Sequence, residues 1–285
     1  MSTTTATATP VIATAGGARP VEQPDPAGAG IVTSSLVVAR RTLTAFARTP
    51  QLLVVATIQG AMFLLIFRYV FGGAIGQSEG VSYVDFMVPG FVVAGVLFSG
   101  MAAAAGVAED VQRGVVDRFR SLPIPRAALA SGRALGETAL ATWGIVVTAA
   151  IGFVIGFRPA GSVLDSVVAL ALCVIFGFAF TWMFITIGLV SGSAQAAQGM
   201  SLLVFPLTFV SSAYVAVDTM PGWMQPIARN QPVTAMVDAA RAWVIDDPAA
   251  NLGHSPAFLT AKALLWSVAL VVLFAPVATA RYARS

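Results

Sequence analysis

Residues 166–217 read SVVALALCVIFGFAFTWMFITIGLVSGSAQAAQGMSLLVFPLTFVSSAYVAV, 52 residues without an Asp, Glu, Lys or Arg. As a single helix this run would be about 78 Å long at 1.5 Å per residue. A bilayer's hydrocarbon core is roughly 30 Å thick and takes about 17–25 apolar residues per helical span. The run must therefore fold back on itself, and Ser191-Gly192-Ser193-Ala194-Gln195 supplies the turn.

Working outward, four more uncharged stretches cover 49–67, 86–108, 138–157 and 263–280, with 19, 23, 20 and 18 residues. Each suits one span. The chain thus reads as an all-α integral membrane protein with spans near 51–71, 86–108, 134–157, 167–190, 198–217 and 258–280. Together they form one six-span domain over 34–285. Residues 1–33, rich in Thr, Ala, Pro and Gly, read as a disordered tail. No apolar run follows Arg19, so the tail does not read as a signal peptide.

Composition supports this and closes other routes. The chain is 57% hydrophobic and 10% charged, with mean hydropathy +0.84, whereas a soluble domain is about 25% charged. A pI near 9.5 reflects only 16 basic against 13 acidic residues. There is no contiguous basic stripe to neutralise a nucleic-acid backbone. One cysteine (Cys173) and one histidine (His254) exclude a disulfide framework and a zinc site, and no metal site is expected.

Six spans place both termini on one side. With the termini inside, Arg19, Arg40, Arg41, Arg48, Arg113, Arg118, Arg120, Arg126, Arg133, Arg281 and Arg284 are cytoplasmic. Arg68, Arg158, Arg229, Arg241 and Lys262 are outside. Eleven against five satisfies the positive-inside rule with cytoplasmic termini. Fifteen arginines against one lysine suggest a GC-rich bacterial genome, hence a plasma-membrane protein.

Three segments lie outside the spans. In 35–49, Leu36, Ala39, Leu43, Phe46 and Ala47 recur at helical spacing, with Arg40, Arg41, Thr44 and Arg48 opposite. That pattern fits an amphipathic helix in the inner interface, its arginines reaching lipid phosphates. The loop from Glu109 to Arg133 places Val111, Val115, Phe119 and Leu122 at helical spacing, with Pro123 and Pro125 ending the helix. In the outer segment 218–257, Val233, Met236, Val237, Ala240 and Val244 form one helical face, and Asp238 and Arg241 lie on the other. Trp223 and Trp243 are interface anchors.

The span cores contain no ionisable residue, which disfavours an ion-coupled carrier. Glu137 at a span end reads either as an i,i+4 partner of Arg133 or as a functional carboxylate. Gly152 and Gly156, and Gly90, Gly95, Gly100 and Gly106, provide small residues for close helix packing. Pro206 should kink the fifth span and is a hinge candidate. The single lysine lies in Leu259-Thr260-Ala261-Lys262-Ala263, so no phosphate-binding loop exists, and no hydrolase elbow or metalloprotease motif is present. The chain is therefore not an enzyme on its own and binds no cofactor.

Four words in order resemble the permease subunits of type 2 ABC exporters, near the daunorubicin/doxorubicin-resistance group. They are Phe67-Arg68-Tyr69-Val70-Phe71-Gly72-Gly73-Ala74-Ile75, Tyr83-Val84-Asp85-Phe86-Met87-Val88-Pro89-Gly90, the loop from Glu109 to Pro123, and Val217-Asp218-Thr219-Met220-Pro221-Gly222-Trp223-Met224 with Asn230-Gln231-Pro232-Val233-Thr234. The resemblance covers about 35–280. It implies two permease chains, here a homodimer, paired with two cytoplasmic ATP-binding subunits that hold ATP and Mg. It also implies that Glu109, Asp110, Val111, Arg113, Gly114, Val115, Asp117, Arg118, Phe119 and Arg120 form a coupling helix docked in the ATPase. By the same resemblance, Pro221, Trp223, Pro226, Asn230 and Pro232 belong to short outer helices that partly re-enter the bilayer. The expected function is export of a hydrophobic or amphipathic drug, antibiotic or lipid. The alternatives are a membrane module that anchors a cytoplasmic partner without transporting, and an autonomous secondary transporter.

Overall fold

In the computed structural model, the residues described are 30–72, 83–120, 125–248 and 252–284. Of the expected tail, 1–29 fall outside the described residues, as do Gly73–Ile75 and Ser121–Pro123 of the quoted words. The helices are α1 (Ile31–Ala47), α2 (Pro50–Ile66), α3 (Tyr83–Gln112), α4 (Val115–Arg120), α5 (Arg126–Val154) and α6 (Val163–Val190). They continue as α7 (Ala194–Leu202), α8 (Phe205–Phe209), α9 (Gln225–Arg229), α10 (Pro232–Arg241) and α11 (Pro256–Arg284).

Four of these helices are long and apolar enough to cross a membrane: Tyr83–Gln112, Ala127–Val154, Val163–Val190 and Pro256–Tyr282. The shortest of the four, at 27 residues, spans about 40 Å at 1.5 Å per residue, beyond the hydrocarbon thickness of roughly 30 Å. The first expected span is α2 followed by a π-helical turn over Phe67–Phe71.

The fifth expected span is not one helix. α7 and α8 are separated by a turn at 203–204, and the chain from 210 to 216 is non-helical. Pro206, the second residue of α8, has no amide to continue the ladder from α7. The foldback itself is where the sequence places it. Gly192 takes φ +72°, and the Ser193 hydroxyl accepts the Ala196 amide at 3.0 Å to start α7.

α3 is the central helix, packed by α5, α6 and α7. Gly100 sits under the Phe184 ring of α6, and Gly188 of α6 lies against the Ala104 carbonyl of α3. Gly152 packs on Val88, whereas Gly156 has φ +106° and ends α5 as a turn rather than packing.

α1 packs along α5 by its small-residue face rather than by its large apolar residues. Its buried residues are Ser34, Ser35, Val38, Ala39 and Thr42, while Leu36 and Leu43 are exposed. The cause is on the partner helix. A Cβ at Gly132 would lie 2.5 Å from the Ser35 carbonyl oxygen, and one at Gly136 would lie 2.7 Å from Thr42 Cβ. Two glycines four apart make a groove that admits only a small-residue ridge. Leu36 and Leu43 are left exposed.

Candidate functional site

Polar side chains gather at the two ends of the bundle. At one end, Asp110 near the end of α3 accepts from Arg133 Nη1 of α5 at 2.6 Å, and Arg41 of α1 approaches its other oxygen at 3.7 Å. Arg133 Nε also lies 2.9 Å from Glu137 Oε1, one turn along α5. Glu137 is buried and accepts no hydrogen bond among the described residues, so this contact is an ion pair without hydrogen-bond alignment. Of its two readings, the i,i+4 pair with Arg133 is the one the geometry gives. One acidic residue thus ties three helices together, at a point where Gln112 Nε2 also reaches the Gly192 carbonyl at 3.2 Å.

The expected loop helix is split. α3 runs on to Gln112, Gly114 takes φ +66°, and α4 starts again at Val115. The amides of Arg113 and Gly114 close back on the carbonyls of Glu109 and Val111 at 2.9 and 3.0 Å, a left-handed glycine stop. The break rotates the face of α4. Val116 is the residue buried, against Val107, Ala130, Ile185 and Tyr282, and Val115 is only partly covered. Val111 and Val115 therefore do not lie on one continuous helix, because the left-handed turn at Gly114 falls between them.

The remaining loop residues are placed as follows. Glu109 and Arg113 pair at 3.1 Å on the surface. Asp117 and Arg118 are exposed. The backbones of Phe119 and Arg120 end α4, and their side chains lie outside the described residues. Of the α1 arginines, Arg41 turns toward Asp110, while Arg40 and Arg48 are exposed.

At the opposite end sits a residue that sequence reading misplaced. Arg241 was expected on a polar face, yet it is 0% exposed. Its Nε donates to the Phe86 carbonyl at 2.8 Å and its Nη2 to the Ala213 carbonyl at 3.2 Å. The guanidinium stands 3.6 Å from the centre of the Phe86 ring, and Nη1 lies 3.8 Å from Asp238 Oδ1. Asp238 also accepts the Ser212 hydroxyl at 2.6 Å. Burial pulls Arg241 down to about 10 against the attraction of Asp238, which leaves it a cation at neutral pH. Burial pushes the Asp238 carboxyl up, opposed by Arg241 and the Ser212 bond. The available signal was an Arg three residues after an Asp on a helix whose other positions, Thr234 apart, are apolar.

The same region repairs the broken fifth span. Gln231 Nε2 donates to the carbonyls of Leu207 and Val210, both at 2.8 Å, and the Ser212 amide donates to Thr234 Oγ1 at 3.2 Å. These side chains satisfy carbonyls and an amide that a continuous helix would have paired itself. Val233, Met236, Val237, Ala240 and Val244 are all buried, as the periodicity predicts. Pro226 and Pro232 lie in the first turns of α9 and α10, where proline is tolerated. Pro221, Trp223, Pro226 and Asn230 are exposed, whereas Ala228 and Gln231 between and after them are buried.

Long apolar helices, a folded-back broken span and a charged joint at one end define a multi-pass membrane permease subunit. The chain belongs to the ABC-2 type transporter family, which matches residues 33–244. It is 33% identical to the daunorubicin resistance ABC transporter permease protein DrrB1 of Streptomyces coeruleorubidus, over 90% of this chain and 88% of that one. It is 26% identical to the probable doxorubicin resistance ABC transporter permease protein DrrC of Mycobacterium tuberculosis, over 76% and 79%. The inner membrane transport permease YadH of Escherichia coli is also 26% identical, over 67% and 74%.

Proposed function

We propose that this permease exports a hydrophobic or amphipathic molecule, such as a drug, antibiotic or lipid, as one of two identical chains driven by two cytoplasmic ATP-binding subunits. ATP and Mg belong to those subunits. The termini and the 109–120 joint face the cytoplasm of a bacterial plasma membrane, in keeping with the positive-inside count. Arg40 and Arg48 reach lipid phosphates there. The family's ATPase dependence and the drug-resistance names of two relatives support this reading.

The observation that carries it is the joint at Gly114. α4 is a short rigid piece set off by one left-handed residue, and the last turn of α3 behind it is tied through Asp110 to α1 and α5. A push on α4 reaches three helices at once. The fifth span supports a second permease chain. Leu203 is 78% and Phe209 53% exposed beside backbone that is not helical. Such backbone is not tolerated against lipid and needs protein or a water-lined cavity beside it. Pro206, at that break, is the hinge in this proposal, and the outer segment from Pro221 to Pro232 caps the exit.

The test is co-purification in detergent with the candidate ATPase, comparing wild type with Phe119→Asp. Loss of the ATPase from the folded variant alone is expected, and failure of wild type to retain it would remove the coupling role. Gly114→Val probes the joint separately. No atom lies within 4 Å of where its Cβ would start, so the penalty is conformational, about 1–2 kcal/mol for φ near +66°. Retained ATPase binding with transport reduced at least tenfold is expected, and unchanged transport would show that the left-handed turn is only a helix stop.

A further inference from the structure

Between α3, α5, α6 and α10, at the Arg158 end of the bundle, lies an open groove with about 420 Å³ of empty space, counting its mouth. The part in which the centre of a water molecule fits is only about 50 Å³. The groove is therefore narrow, the width of an alkyl chain rather than a fused ring system. Val88, Phe153, Phe157, Ala169 and Cys173 line it, and its one hydroxyl, on Ser166, is turned to the Ser162 carbonyl at 3.4 Å. Water would find almost no partner there.

Depth and charge say what fits. Cys173, at the floor, is eight residues beyond Asp165 in the first turn of α6, or about 12 Å along the axis at 1.5 Å per residue. That is less than half of a hydrocarbon core of roughly 30 Å, so the groove lies within one leaflet. Its mouth continues into exposed apolar surface at Phe153, Val154 and Val167. Arg158 stands at its rim. Its Nη1 donates to the carbonyls of Phe153 and Phe157 at 2.9 and 2.8 Å, and both residues line the groove. Its Nε and Nη2 donate to no group among the described residues, and its guanidinium makes no ion pair among them. Asp85 faces the same turn but takes the Arg158 backbone amide, at 2.9 Å.

We propose that this groove holds one acyl chain of a phospholipid from the leaflet at the Arg158 end, with Arg158 binding its phosphate. A bound lipid would wedge α5 and α6 against α10 and brace the buried Arg241 region from the membrane side.

Photolabelling tests it. The full chain is reconstituted in vesicles of a diglucosyl diacylglycerol, which carries no phosphate, containing a phosphatidylglycerol with a diazirine midway along one acyl chain. Adducts are mapped by mass spectrometry in the groove and on the exposed face of α11 at Leu265 and Val272, which serves as the bulk-lipid reference. Groove labelling is expected to saturate at low probe fraction and to exceed the α11 reference at least fivefold. Ala169→Phe, which fills the groove, should remove that excess, and Arg158→Gln should reduce it at least threefold with Arg158→Lys restoring most of it. α11 labelling should remain constant throughout and reports intact folding. Groove labelling that merely tracks α11 in all proteins would overturn the site. Equal labelling by a diacylglycerol probe lacking phosphate would overturn the phospholipid assignment.

Discussion

Arg241→Met is expected to lower the stability of the detergent-solubilised protein by about 3 kcal/mol, the scale for removing one partner of a buried ion pair. For a chain of this size that corresponds to a fall of about 10 °C in the melting temperature. The size follows from how much one side chain holds. Its loss takes a donor from the carbonyls of Phe86 and Ala213, removes the cation from the Phe86 ring, and leaves Asp238 a partly buried charge. Adding Asp238→Asn removes that charge while keeping an acceptor for Ser212, so the double variant should recover at least half of the loss. Thermal unfolding of the two single variants and the double one measures it. A fall under 1 °C, or strictly additive losses, would mean that the guanidinium is not anchoring α10.

Gly90→Ala is expected to be as severe, while Gly95→Ala on the same helix is expected to be harmless. A Cβ at Gly90 would lie 2.7 Å from the Ala213 carbonyl carbon and closer still to its oxygen. Backbone cannot rotate aside as a side chain can, so α3 and the broken span must separate. The carbonyl displaced is the one that accepts Arg241 Nη2, so a methyl group both overpacks the contact and weakens that hydrogen bond. Together these amount to about 3 kcal/mol or more. At Gly95 the nearest atom to a new Cβ is Thr148 Oγ1 at 4.0 Å. There alanine should add roughly 0.5–1 kcal/mol through its better helix propensity. Melting curves of the two purified variants compare them directly, and equal behaviour would sink the close-approach argument.

Both predictions concern a region whose role the sequence did not reveal. A 3.6-residue repeat shows that Val233, Met236, Val237, Ala240 and Val244 share a face, because burial of that face is a local property of the helix. It cannot show that Arg241 is also buried. That depends on two carbonyls, at positions 86 and 213, becoming available at one point, one beside a proline-containing turn of α3 and the other after a broken span. Pro206 announced the break in the fifth span, since a missing amide is written in the residue itself. The repair by Gln231 and Thr234 comes from residues more than twenty positions away.

The charged joint divides in the same way. Gly114 lies inside an apolar repeat that remains in phase across it, so periodicity alone favours one helix through 109–122. Only the left-handed conformation of that glycine turns Val116 rather than Val115 inward. Likewise, α1 has a plausible apolar face at Leu36 and Leu43. Which face docks was decided by Gly132 and Gly136 on another helix.

The sequence by itself determined the membrane class, the approximate positions of the four long apolar helices, the foldback at Ser191–Ser193 and the family. These follow from runs of uncharged residues, from missing donors at proline, and from words read along the chain. The tertiary structure alone decided which helix faces meet, where α4 points, and that an arginine is buried at the end of the bundle opposite Asp110. Those outcomes rest on contacts between distant backbone groups, where one absent Cβ or one free carbonyl selects among arrangements that hydropathy leaves equal.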